Sequence, residues 1–199
     1  MLNIAVFASG RGSNFRALFD SLQKKSIEAR ICLLISNNSD AGAMEFARSV
    51  GIRTLHLSQK TFSSQAEFTT AILGALCESN IDLIVLAGYM KKIDSEIVAA
   101  YRGRMINIHP ALLPEFGGPG MYGRHVHEAV LREGKKISGV TVHYVDEEFD
   151  HGNIILQERV PVLKNDTTES LAERVLKVEH KILPMVVKQI ADAYHHNQG

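Results

Sequence analysis

Apolar positions along this chain fall into two rhythms. Leu2–Ala8, Ala29–Ile35 and Ile81–Ala87 are short, nearly continuous apolar runs, the second interrupted by Arg30 and the third by Asp82. Runs of that length and composition suit strands buried on both faces of a sheet. Between them the spacing changes to three and four. Phe15, Leu18, Phe19 and Leu22 predict a helix over Asn14–Leu22. Ala43, Phe46, Ala47 and Val50 predict a second, with Asp40 as its cap and Gly51 just past its end. Phe68, Ile72, Leu73, Leu76 and Cys77 predict a third, and Arg53–Leu57 is a short strand before it. Strands alternating with helices at this spacing predict an α/β fold: a Rossmann-like, doubly wound, mostly parallel sheet with helices on both faces.

The second half reads differently. Met105–Ile108 is a short strand that runs into Asn-Ile-His-Pro, and a Pro- and Gly-rich loop follows from Pro110 to Gly123. His125–Glu133 has helical spacing. Ile137–Val145 and Asn153–Val160 are strands separated by the acidic loop Asp146–Gly152. An amphipathic helix from Thr168 to Tyr194 closes the chain, with Thr167 or Thr168 as its cap and Pro184 inside it. No linker composition separates the halves, so residues 1–199 read as a single domain.

Composition narrows the function classes. Lys plus Arg and Asp plus Glu both total 22, so the formal net charge is zero. That balance argues against bulk binding to nucleic acid or an anionic membrane. No apolar run reaches the roughly 18 residues of a membrane span, and the N-terminus lacks a basic leader. Cys32 and Cys77 lie in apolar runs, where buried free thiols would suit a reducing, cytoplasmic setting.

Three places carry candidate chemistry. Ser9-Gly10-Arg11-Gly12-Ser13-Asn14 joins the first strand to the first helix. Glycines there let an anion approach the backbone, and the helix start offers unpaired N–H groups. The loop is neither the dinucleotide fingerprint, since Phe15 stands at the third glycine position, nor a Walker loop. Position alone leaves two readings open, a phosphate cradle or a tight turn. Asn107 and His109 form the second place. At the end of a strand their side chains share a face, and an amide beside an imidazole suits a developing oxyanion. A carboxylate from the acidic loop would raise the imidazole pKa and hold the ring. Here too a plainer reading stands, a strand end bonded to local backbone and an acidic surface loop. The nine histidines, the third candidate, show no metal-ligand spacing: His125 and His127 are two apart on a helix and face different ways. No metal is expected.

Taken together, these segments resemble the phosphoribosylglycinamide formyltransferase family. The resemblance rests on Ser9–Asn14, Leu86–Met90, Asn107-Ile-His-Pro-Ala-Leu-Leu-Pro114, Gly139–His143, Asp146–Asp150 and Glu179-His180. It implies a formyltransferase-type fold and transfer of a formyl group from 10-formyltetrahydrofolate to the amine of glycinamide ribonucleotide, in purine nucleotide biosynthesis. By resemblance Asn107, His109 and Asp150 are the catalytic trio. Gly12, Ser13, Asn14 and Glu179 bind the ribonucleotide. Met90, Lys91, Lys92 and Ile93, with Asn107 and the loop Asp146, Glu147, Glu148, Phe149 and Asp150, bind the folate. The partners implied are these two substrates, with no tightly bound cofactor and no metal, in a cytoplasmic monomer or homodimer. The length leaves no room for the extra domains of relatives acting on methionyl-tRNA or hydrolysing formyl-folate.

The chain also departs from the family pattern. Gln65 stands where many members carry an Arg near the folate, Lys91 where others have Arg, and the loop Glu115–Arg124 is a few residues longer. Two other functions fit parts of the pattern: formyl transfer to another amine, such as that of a nucleotide sugar, or a nucleotide-binding module using the glycine loop alone. The second would leave Asn107, His109 and Asp150 without a joint task.

Overall fold

The computed structural model describes residues 1–24 and 27–196. Its centre is a seven-stranded sheet built from β1 (Leu2–Phe7), β2 (Ala29–Ser36), β3 (Arg53–His56), β4 (Leu83–Leu86), β5 (Met105–His109), β6 (Ile137–Tyr144) and β7 (Ile154–Pro161). The strand order is β3-β2-β1-β4-β5-β6-β7. The first five strands are parallel, while β6 and β7 run antiparallel to their neighbours. The chain therefore reverses winding direction at β1 and β4. In open sheets of this kind, ligands bind at the carboxyl ends of the strands beside that reversal.

Helices cover both faces because the central strands are apolar on both. Leu2, Ile4 and Val6 of β1 pack beneath α1 (Ser13–Lys24), α2 (Gly42–Ser49), α5 (Arg124–Arg132) and α6 (Thr168–His196). Ala5 and Phe7, pointing the other way, pack against α3 (Gln65–Glu78) and α4 (Ser95–Ala100). The predicted strands and the five longer helices are present, with ends shifted by a few residues. The six-residue α4 was not anticipated. Its signal is Asp94, whose carboxylate accepts the Glu96 N–H at 2.9 Å, followed by buried Ile97 and Val98.

Two local expectations fail. Asp40 does not cap α2; Ala41 precedes that helix and no side chain caps it. Instead the Gly10 carbonyl accepts the Ala43 N–H at 3.2 Å, so the glycine loop itself satisfies the helix start. The thiols are not buried either. Cys77 is exposed near the end of α3 and Cys32 is half-buried on β2. Of the two proposed caps for α6, Thr167 is the one used, its hydroxyl accepting the Ser170 N–H at 3.2 Å. Gly51 takes φ +74° after α2, the backbone geometry expected of a residue just past a helix end.

Candidate active site

The carboxyl ends of β1, β4 and β5 open into one cavity of about 860 Å³, closed laterally by α6 and by the loops that follow β5 and β6. Every residue that the resemblance gave to catalysis or to a substrate lines it, from Gly12, Ser13 and Asn14 at one end to Met90–Ile93 and Asp146–Asp150 at the other, with Asn107 and His109 between. Gln65 does not. Its amide donates to Asp94 Oδ2 at 2.8 Å and to Thr69 Oγ1 at 3.3 Å, so it is tied to the helix pair behind the wall.

At the first end the backbone makes the site. Gly12 has φ +75°, and a Cβ there would stand 2.7 Å from the Ala43 Cβ. Only glycine lets the loop pass α2 this closely. The turn starts α1, where free N–H groups and the positive end of the helix face the cavity. Behind it, buried Asn14 donates its side-chain amide to the buried carboxyl of Glu179 on α6. Burial pushes the Glu179 carboxyl above its ordinary range, an effect larger than the opposing pull of Asn14. Asn14 Oδ1 is buried and has no hydrogen-bond partner among the described residues.

At the middle of the cavity, side chains make the site. Antiparallel register sets Asn107 of β5 opposite His143 of β6. The His143 Nδ1 lies 2.8 Å from the Tyr144 carbonyl, which can only accept, so Nδ1 carries the proton. Nε2 then lies 3.1 Å from Asn107 Nδ2, within reach of one of its two hydrogens, and 3.6 Å from Asp150 Oδ1. The other Nδ2 hydrogen goes to Asp150 Oδ1 at 3.2 Å. Asp150 Oδ2 accepts the Gly118 N–H at 3.0 Å. His109 Nδ1 stands 3.5 Å from Asp150 Oδ1, and its Nε2 donates to the Phe116 carbonyl at 2.8 Å. Asp150 and Phe116 both hold positive φ, +54° and +56°, so two backbone positions touching this cluster are strained.

The electrostatics correct one expectation. Asp150 was expected to raise the His109 pKa. It does pull upward, but burial acts the other way and more strongly, and the net shift is down. His109 is 3% exposed, which explains the balance. Asp150 itself is held below the usual carboxylate range: burial pushes it up, but His143, His109 and the Gly118 N–H together outweigh burial. The cluster at rest is therefore a carboxylate beside a neutral imidazole.

The sequence assigned no role in the site to His143, His127, Gly118 or Phe116. For His143 the signal was available, since an antiparallel β5–β6 pair brings a residue of the Gly139–His143 run opposite Asn107. His127 is buried on the inner side of α5 while His125 is exposed on the outer side, so the two do part as their spacing required. The acidic loop divides similarly. Asp150 turns inward, whereas Asp146 pairs with His151 at 2.9 Å and Glu147 with Arg102 near the rim. Among the described residues, no group of three His, Cys, Asp or Glu side chains is placed to hold a metal, and no helix is long and apolar enough to cross a membrane.

Comparison with known proteins points one way. Residues 2–187 match the formyl transferase family. A chloroplastic phosphoribosylglycinamide formyltransferase of Arabidopsis thaliana is 45% identical over 95% of this chain and 65% of its own length. The chain thus spans about two thirds of that plant relative. The phosphoribosylglycinamide formyltransferase of Bacillus subtilis is 40% identical, over 96% of this chain and 95% of its own. Among solved structures, glycinamide ribonucleotide transformylase 1 of Symbiobacterium toebii superposes with a TM-score of 0.90 at 37% identity, covering 97% of this chain and 89% of that one.

Proposed function

The chain belongs to the phosphoribosylglycinamide formyltransferase family, and from that premise we propose that it transfers the formyl group of 10-formyltetrahydrofolate to the amine of glycinamide ribonucleotide. The observation that carries the reading is the cluster of Asn107, His109 and Asp150 midway between a glycine loop and a partly apolar wall. A phosphate-bearing acceptor and a flat donor can then meet at that cluster from opposite ends.

The ribonucleotide phosphate sits on the Gly10–Asn14 backbone, with Ser13 and Asn14 as further donors and Glu179 facing the same substrate. Binding energy gathered far from the reacting atoms aligns the amine. Met90 to Ile93, and the loop Asp146 to Asp150 with exposed Phe149, hold the donor. The amine attacks the formyl carbon, and the formyl oxygen gains negative charge that Asn107 Nδ2 stabilises. To do so, Asn107 must exchange its bond to Asp150 or His143 for one to the oxyanion. One proton has to pass from the acceptor amine to the folate nitrogen that leaves. His109 is neutral at rest and carries it, and Asp150, 3.5 Å from Nδ1, balances the imidazolium formed in transit. The carboxylate thus acts on the short-lived cation rather than keeping the free ring charged.

The test is an absorbance assay for tetrahydrofolate-type product from purified protein, with glycinamide ribonucleotide present and absent. Turnover that requires the ribonucleotide is expected. Turnover with a nucleotide amino sugar and none with the ribonucleotide would overturn the acceptor. No folate binding in calorimetry would overturn the enzyme reading altogether. The cytoplasmic setting belongs to the same reading and is tested by fractionation; gel filtration decides between monomer and homodimer.

A further inference from the structure

Ser9 stands between β1 and the glycine loop, behind the cavity wall rather than on it. It makes three contacts to two other strand ends. Its backbone N–H donates to the Gly88 carbonyl at 3.0 Å. Its hydroxyl donates to Asn37 Oδ1 at 2.5 Å, since that oxygen can only accept. The same hydroxyl oxygen accepts the Met90 N–H at 2.9 Å. Asn37 follows β2, and Gly88 to Met90 follow β4. One residue therefore gathers the carboxyl ends of three neighbouring strands, β2, β1 and β4, across the point where the sheet reverses direction.

The segment held this way forms the donor end of the cavity. It is clamped at two points two residues apart, both on Ser9, and it turns between them through Gly88 at φ +78°. Tyr89, at the middle of the clamp, packs edge-on against Phe7 with ring centroids 5.4 Å apart. On its other side Ser9 leads directly into Gly10–Asn14. The sheet does not need the hydroxyl. Ala8 N–H bonds the Ile35 carbonyl at 3.1 Å and Ala87 N–H bonds the Phe7 carbonyl at 2.9 Å, so the strands are joined without it. Removing Oγ leaves two polar groups without this partner, the Met90 N–H and Asn37 Oδ1.

We propose that Ser9 is a positioning residue that fixes the Met90–Ile93 wall relative to the glycine loop, and so sets the distance between the formyl donor and its acceptor. The proposal rests on the function proposed above. Its structural part concerns only the Met90 N–H, which can be read without substrates. Ser9→Ala is expected to speed hydrogen exchange at the Met90 amide and to raise KM for the formyl donor about fivefold, the equivalent of one ordinary hydrogen bond. KM for the ribonucleotide should stay within about twofold on the same reasoning, because the Gly10–Asn14 backbone keeps its own contacts. Ser9→Thr retains the oxygen and should restore both readouts. Asn37→Ala frees the hydroxyl without removing it and should give a smaller change of the same kind.

Equal rises in both KM values, with no rescue by threonine, would mean a general structural role and overturn the proposal. So would faster Met90 exchange with both KM values unmoved. If the wild-type protein shows no turnover with the ribonucleotide while Met90 exchange still responds to Ser9→Ala, the functional reading fails and the clamp stands. If turnover is present and Met90 exchange does not respond, the clamp fails and the function stands.

Discussion

The glycine-loop end of the cavity and the cluster at its middle are built by opposite means. Where the parallel strands end, a loop of glycines and a helix start present backbone N–H groups, and side chains stand behind. Where β5 meets the antiparallel β6, the backbone stands behind, and Asn107, His109, His143 and Asp150 meet from two strands and a loop. Asn14, Ser36 and Thr69, buried in the first half, carry no titratable group, whereas buried His109 and His127 stand in the second beside Ser138 and Thr141. Backbone dipoles hold an anion at any pH. Moving a proton needs groups that change charge, and such groups are costly to bury. The fold keeps the histidines away from the glycine loop, whose buried titratable neighbour is Glu179 on α6.

The strongest test of that division is Asp150→Asn. The residue's φ of +54° is a conformation asparagine also adopts, so the backbone can stay in place. An amide can accept from Gly118 or from Asn107, but it carries no charge to set against a protonated His109. Turnover should fall by about 10²–10⁴, the usual contribution of proton transfer, while the KM for the formyl donor moves far less. Combined with His109→Ala or Asn107→Ala the loss should be less than additive, because the three act as a unit. Full turnover near neutral pH in Asp150→Asn would leave Asp150 as an anchor for Gly118 only, and Asp146 would become the next carboxylate to test.

A second test reads the same division in folding stability. Burial lowers the His127 imidazole from 6.5 to about 4, with His109 adding a little in the same direction. The folded protein resists protonation there and the unfolded chain does not. Stability from this group is fully present above about pH 6.5 and drains away as pH falls toward 4, by on the order of 3 kcal/mol in all. Urea unfolding at pH 7.5 and 5 should therefore show a smaller acid loss in His127→Gln than in wild type. A control outside the cavity, buried Thr69→Val on α3, should keep the wild-type slope. Equal slopes in all three proteins would mean that His127 charges without penalty.

These contrasts also explain what the sequence disclosed. The parallel half was legible because each of its parts is local: a buried strand is a run of Ile, Leu and Val, and the glycine loop is six consecutive residues. Asn107 and His109 were legible as a pair for the same reason, being two apart on one strand. Asp150 is more than forty residues away, and spacing alone could not choose it from four acids in its loop; the family resemblance supplied the choice. His143 went unassigned because its role depends on strand register, which emerges only when β6 pairs with β5. The direction of the His109 shift was misjudged because a sequence names the neighbouring charge but not the depth of burial. Asp40 failed as a cap because the helix start is docked on a distant carbonyl, that of Gly10.

A milder perturbation probes the backbone-built end. In Gly12→Ala the new Cβ meets Ala43 Cβ at 2.7 Å and its Cα at 2.9 Å, and φ of +75° is unfavourable for alanine. The left-handed conformation alone costs about 1–2 kcal/mol. The loop must lift away from α2, carrying its N–H groups off the phosphate. Ribonucleotide affinity should weaken about tenfold, on the scale of that conformational cost, with the donor KM little changed. A loss confined to the donor would mean that the substrates sit at the opposite ends.

The smallest effect is expected at Glu179, which tests whether the backbone-built end is as indifferent to pH as its glycine loop implies. This carboxyl on α6 is the titratable group buried against that loop, bonded by the Asn14 amide and raised by burial above its ordinary 4.5. For a group raised in the folded state, the stability it confers is complete below its unfolded pKa and is lost as pH rises through the folded value. Glutamine has nearly the shape of the protonated acid, still offers Asn14 an oxygen, and has no proton to lose. Glu179→Gln should therefore match wild type in acid and become the more stable of the two as pH rises. Ribonucleotide affinity should fall less than in Gly12→Ala, since the phosphate contacts remain. Calorimetric melting of both proteins from pH 5 to 9 checks this directly. Parallel curves would mean that Glu179 is already ionised in the folded protein at pH 5, and that the charge at this end is held by a partner other than Asn14.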